Sequence, residues 1–87
     1  MTSESADPTL PLRELIQAIA TELVDDPGQV RVTEISSDHN CVIELRVAKD
    51  DVGKVIGRDG RTAQSMRTLL TTVSAKLGVR AHLDIVD

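Results

Sequence analysis

The stretch from Val52 to Met66, VGKVIGRDGRTAQSM, runs through a short apolar helical pattern, breaks at two glycines three positions apart, and resumes a helical pattern at once. Gly57 and Gly60 bracket Arg58 and Asp59, so the chain leaves one helix, turns within four residues and starts another. Glycine takes left-handed backbone angles at no steric cost, and two of them this close fix a tight turn between helices. A turn that only connects needs no cation at its tip, yet Arg58 stands there and Arg61 follows. The stretch reads as a turn built for an anionic ligand; the plainer alternative is a structural helix-loop-helix.

Charge distribution favours the ligand. The formal net charge of −4 argues by itself against a polyanionic partner. Between Gly53 and Arg80, however, stand six bases (Lys54, Arg58, Arg61, Arg67, Lys76 and Arg80) and one acid, Asp59, a net +5, while the other four bases and thirteen acids leave −9. An acidic body with one basic segment is the pattern expected when only that segment meets an anion.

Several function classes fall away. At 87 residues the chain makes one domain around one core. It has no Phe, Tyr or Trp, so the core is aliphatic, and the aromatic stacking by which many single-strand binders hold bases is excluded. Cys41 is the only cysteine, which rules out an internal disulfide, and Cys41, His39 and His82 are too few and scattered for a typical zinc site. His39 and His82 read as surface residues on or beside strands. No apolar run approaches the roughly 18 residues of a membrane span, and the acidic N-terminus lacks the basic region of a signal peptide, so no membrane partner and a cytoplasmic location are expected. No nucleophile has an evident base and orienting partner, and an enzyme is not expected. The glycine spacing matches neither G-x-x-x-x-G-K-S/T nor G-x-G-x-x-G, which leaves no reason to expect a nucleotide cofactor.

The remaining pattern gives the elements. Residues 1–8 form a polar tail expected to be disordered, and the domain occupies 9–87. Thr9 can cap a helix whose stripe is Leu12, Leu15, Ile16, Ile19, Leu23 and Val24, ended by Asp25-Asp26-Pro27-Gly28. Val30 and Val32, then Cys41, Ile43, Leu45 and Val47, alternate as two strands of an antiparallel hairpin; Ile35 falls on the opposite parity and predicts a bulge or an early strand end. Asp50 is the expected N-cap of the short helix carrying Val52, Val55 and Ile56, with Asp51 beside it favouring the positive end. Ala63, Met66, Leu69, Leu70, Val73 and Leu77 mark a longer helix ending at Gly78, with Met66 expected in the core, and Ala81, Leu83 and Ile85 mark a last strand. The order α-β-β-α-α-β, with two helices between the second and third strands, predicts an α+β fold: a three-stranded mixed sheet with all helices on one face.

Val55-Ile56-Gly57-Arg58-Asp59-Gly60-Arg61, set between two helices, resembles the I-G-x-x-G signature of KH domains, and the element order matches their type II arrangement. From about Leu10 to Ile85 the chain is similar to the KhpA family of small bacterial stand-alone KH proteins, through DVGKVIGRDGR and IELRVA. The resemblance implies a single type II KH domain that binds single-stranded RNA as an RNA chaperone or post-transcriptional regulator, pairing with itself or with a larger KH protein of the KhpB (Jag) type. By matching positions, Gly57, Arg58, Asp59, Gly60 and Arg61 are the expected backbone clamp, and Val55 and Ile56, with Leu45 and Val47, are candidates near the base groove or equally ordinary core; Lys54 and Arg67 read evenly as phosphate contacts or as solvated helix positions. Lys76 and Arg80 read as solvated positions. Asp59 departs from the basic or neutral residues usual in such loops, and an affinity on the order of micromolar or weaker follows. The rival reading is a protein-interaction module in which the glycine loop is only a turn.

Overall fold

The computed structural model describes residues 10–38 and 40–86; the tail at 1–8, the Thr9 cap and His39 lie outside the described residues. Helix α1 (Leu10–Leu23) buries Leu12, Ile16 and Ala20 completely at four-residue spacing, with Val24 just past its end. Ile19 and Leu23 pack partly against the same core. The chain then passes through Asp25 and Asp26 into a 3-10 turn at Pro27–Gln29, where proline fits the first helical position and ends the longer helix.

Strands β1 (Arg31–Ser37) and β2 (Asn40–Arg46) form the expected antiparallel hairpin, and β3 (Arg80–Val86) pairs with β2 in parallel, giving the order β1-β2-β3. Parallel neighbours need a crossover. It is supplied by α2 (Val52–Ile56) and α3 (Arg61–Leu77), so the element order is α-β-β-α-α-β and the fold α+β. Cys41, Ile43, Leu45 and Leu83 on one sheet face meet Leu12 and Ile16 of α1, Val55 of α2, and Met66 and Leu70 of α3 in a single aliphatic core. All three helices therefore cover the same face. The loss of aromatics is met by this interlocking of branched side chains and one methionine.

Two expectations are corrected. Ile35 causes neither a bulge nor an early end: the β1–β2 register is unbroken from Arg31↔Arg46 to Ser37↔Asn40, and Ile35, opposite Val42, is 52% exposed. With helices on one face only, a residue of the other parity points to the open face at no cost in pairing. Leu69, expected among the apolar positions of α3, is 47% exposed. The buried stripe is Ala63, Met66, Leu70 and Ser74, and Leu69 lies about 100° round the helix from Leu70. The far end of α3 closes as expected on Gly78 (φ 75°), where the N–H of Val79 donates to Ser74 O at 3.1 Å and that of Gly78 to Ala75 O at 3.4 Å. These two bonds satisfy carbonyls the helix would otherwise leave open.

Candidate functional site

The glycine turn lies where α2 hands over to α3. The N–H of Gly57 donates to Gly53 O at 2.9 Å, closing α2. Gly57 then adopts φ 79°, ψ 173°, a conformation essentially restricted to glycine. It is also crowded: a Cβ here would lie 2.9 Å from Thr62 N and nearer still to the Thr62 side chain. Asp59 (φ 56°, ψ 25°) and Gly60 (φ 73°, ψ 11°) follow in the left-handed region, while the N–H of Gly60 donates to Gly57 O at 3.1 Å.

This backbone leaves donors unused. The N–H of Arg61 is used by Arg58 O, but among the described residues those of Arg58 and Asp59 make no hydrogen bond. Helix α3 begins without a side-chain cap and without an acid in its first turn, which leaves Asp59, just before the N-cap Gly60, as the one acid beside its positive end. Arg58, Arg61 and Arg67 are exposed and form no ion pair among the described residues. Open N–H groups, a helix N-terminus and unpaired guanidinium groups together attract an anion. The geometry also accounts for Asp59, since aspartate is among the few non-glycine residues that tolerate left-handed angles.

Lys54 has a different setting. Its Nζ lies 3.3 Å from Asp25 Oδ2 and 3.3 Å from Asp51 Oδ1. Hydrogen bonding to Asp25 and then Asp51 raises the ammonium above the ordinary lysine pKa. Asp51 is buried, and its Oδ1 and Oδ2 accept the backbone N–H groups of Asp25 at 3.2 Å and Asp26 at 3.1 Å. Burial pushes this carboxyl up, but the two N–H groups and Lys54 outweigh that and hold it below the ordinary aspartate value. This corrects the expected capping. Asp50 is exposed, the N-cap of α2 is Asp51, which makes no side-chain cap bond, and its carboxylate reaches instead to the segment after α1.

These bonds matter because α2 is weakly held otherwise. Ordering its five residues costs roughly 1–2 kcal/mol each. Its only fully buried side chain, Val55, returns roughly 1.5–3 kcal/mol.

Of the other sequence-derived positions, Val55 and Leu45 are fully buried, Val47 is partly buried against the core, and Ile56, beside the turn, is 39% exposed. Arg67 stands farther along α3, where the helix and β3 leave a groove. One part, of about 140 Å³, is lined by Arg67, Leu70, Thr71, Ala81, His82 and Leu83. The adjoining part, of about 510 Å³, continues past Ser74, Ala75 and Gly78 to Arg80. Sequence reasoning gave Thr71, Ala75 and Ala81 no place beside a groove, Ala81 being read only as a residue of the last strand. The signal available was their small size at positions that face each other only after folding. His82 is exposed on β3, as expected.

Comparison with known proteins gives a consistent result. The family profile described as KhpA/KhpB, KH domain, matches residues 13–85. The chain is similar to the RNA-binding protein KhpA of Aquifex aeolicus, at 46% identity over 76 residues covering 87% of this chain and 96% of the relative. Its counterpart of the same name in Chlamydia pneumoniae is 42% identical over 76 residues, 87% of this chain and 97% of the relative. That of Halalkalibacterium halodurans is 45% identical over 76 residues, 87% of this chain and 100% of the relative.

Proposed function

The chain belongs to the KhpA/KhpB KH-domain family, and from that premise we propose that it binds single-stranded RNA, clamping the sugar–phosphate backbone at Gly57-Arg58-Asp59-Gly60. The observation that carries this reading is the turn itself: left-handed backbone, N–H groups of Arg58 and Asp59 that no described residue uses, and exposed Arg58 and Arg61 without an ion pair among the described residues, at the start of α3. Phosphate oxygens meet the N–H groups of Arg58 and Asp59 and the two guanidinium groups, and Arg67 extends the basic track along the helix. Bases lie along the groove between α3 and β3, entered beside Arg67, while Ile56, half-exposed next to the turn, offers an aliphatic contact on the way to it. Contact is aliphatic and polar, which suits several bases and favours a general role as an RNA chaperone or post-transcriptional regulator, without catalysis and in the cytoplasm.

A second copy, or a larger KH protein of the KhpB (Jag) type, is the proposed protein partner. The exposed side chains of Leu69 and Ile35 favour such pairing, and a second linked site raises apparent affinity where one domain binds weakly.

The test is Arg58→Asp, titrated with an unstructured RNA oligonucleotide. Arg58 is exposed and makes no side-chain hydrogen bond or ion pair among the described residues, so the fold and melting temperature are expected to be retained. Loss of a charge-assisted phosphate contact, with repulsion in its place, weakens binding roughly ten- to a hundredfold. Unchanged affinity in the folded variant would turn the reading toward the interaction module.

A further inference from the structure

The turn is aimed by a helix too short to aim itself. Helix α2 has five residues and one fully buried side chain, so its direction is set chiefly at its ends. One end is Gly57. At the other, Asp51 is 2% exposed although it is a carboxylate, and each of its oxygens is used: Oδ1 by the N–H of Asp25 and by Lys54, Oδ2 by the N–H of Asp26. Both N–H groups belong to the segment just after α1, some 25 residues away in sequence. Lys54 completes the arrangement by bridging Asp51 to the Asp25 side chain.

We infer that Asp51 is a positioning residue for the anion-binding turn: its carboxylate ties the start of α2 to the end of α1, and Lys54 serves that tie rather than the ligand. The chain of cause runs from a buried side chain, through a rigidly placed single-turn helix, to the orientation of Arg58 and the N–H groups behind it. Without the tie, α2 samples several directions, and binding must bear the cost of ordering it. A bond to the N–H groups of another element does this better than a local cap, because it fixes α2 relative to the core.

The sign of the effect separates this role from plain electrostatics. Asp51→Asn removes a negative charge close to a basic surface and releases Lys54, so charge alone would tighten RNA binding. Positioning requires the opposite. In titrations with a single-stranded oligonucleotide, below the melting temperature of both proteins, Asp51→Asn is expected to bind roughly three- to tenfold more weakly. Lys54→Gln, at a half-exposed site that folding tolerates, is expected to weaken binding while leaving the salt dependence unchanged. Loss of a direct phosphate ligand would instead lower the slope of log affinity against log salt by about 0.7. Tighter or equal binding by Asp51→Asn overturns the inference, as does a reduced slope for Lys54→Gln; if Asp51→Asn does not fold, the lysine variant decides.

The affinity arm rests on the RNA reading, so a second arm avoids RNA. Amide hydrogen exchange in the free protein should accelerate in Asp51→Asn from Val55 to Gly60 more than in β2. Uniform acceleration would mean that Asp51 only stabilises the fold. Failure of the wild-type protein to bind RNA, with localised exchange intact, would sink the RNA reading and leave the tie standing.

Discussion

Replacing each glycine of the turn by alanine should have very different consequences, although the two residues look equivalent in the sequence. At Gly60 a Cβ meets nothing within 4 Å and only the left-handed angle, φ 73°, resists it. That conformation costs an alanine roughly 1–2 kcal/mol, partly offset by roughly 0.4–1 kcal/mol from a stiffer unfolded chain. At Gly57 the same offset applies against two costs. The backbone region at φ 79°, ψ 173° adds roughly 1–3 kcal/mol of strain. A Cβ 2.9 Å from Thr62 N, which belongs to the first turn of α3 and cannot swing away, adds roughly 1–3 kcal/mol more. Gly60→Ala should therefore lose about 1 kcal/mol and Gly57→Ala about 2–5 kcal/mol, or about 4–8 °C of melting temperature per kcal/mol for a domain of this size. Urea titration and thermal melts of the two variants give both numbers. Equal losses, or a larger loss at Gly60, would refute the packing of Gly57 against Thr62 on which the shape of the turn depends.

Two other outcomes follow from the same structure. Asp59→Asn keeps a side chain that accepts left-handed angles while removing an acid from the phosphate path, so single-stranded RNA should bind more tightly, roughly two- to tenfold, with little change in stability; weaker binding would mean that the carboxylate itself contacts the ligand. The Asp51–Lys54 pair sets a pH dependence. Asp51 has its pKa depressed on folding, so its stabilisation is present above the unfolded value of about 4 and fades as pH falls through the lower folded value; Lys54, raised, contributes below about pH 10.4 and loses its share as pH rises through its folded value. Urea midpoints measured between roughly pH 3 and pH 6 should fall more steeply on the acid side for the wild type than for Asp51→Asn. Parallel curves would show that another carboxylate governs acid unfolding.

What could be read in the sequence, and what could not, divides along local and long-range causes. The glycine turn, the Gly78 stop and the hairpin all follow from neighbours within a few residues, and each was legible. Asp50 and Asp51 are adjacent acids with equal capping propensity; only the packing of α1 against α2 decides that the second turns inward. Ile35 misled because alternation was assumed to require polar residues on the open face, whereas an exposed isoleucine there disturbs no pairing. Leu69 misled in the same way on α3, where a one-residue step from Leu70 carries it off the buried stripe. The groove beside β3 is the plainest case. Thr71 and Ala81 are ten residues apart in the chain and become two walls of one cleft only when the crossover returns the chain to the sheet edge.

A turn that clamps a backbone whose bases are unpaired, as proposed, makes a choice that basicity alone would not require. A-form duplex RNA displays its phosphates but buries its base edges in a deep, narrow groove, so on the proposed reading only splayed bases would enter the cleft between α3 and β3. The most direct measurement is competition at fixed salt between a labelled single-stranded oligonucleotide and either the same unlabelled strand or that strand annealed to its complement. The single strand is expected to compete at least about tenfold better, a difference of about 1.4 kcal/mol for the base contacts a duplex cannot make. Equal competition, or a preference for the duplex, would contradict the clamp: the basic segment would still attract nucleic acid, but the glycine turn would not hold a single strand.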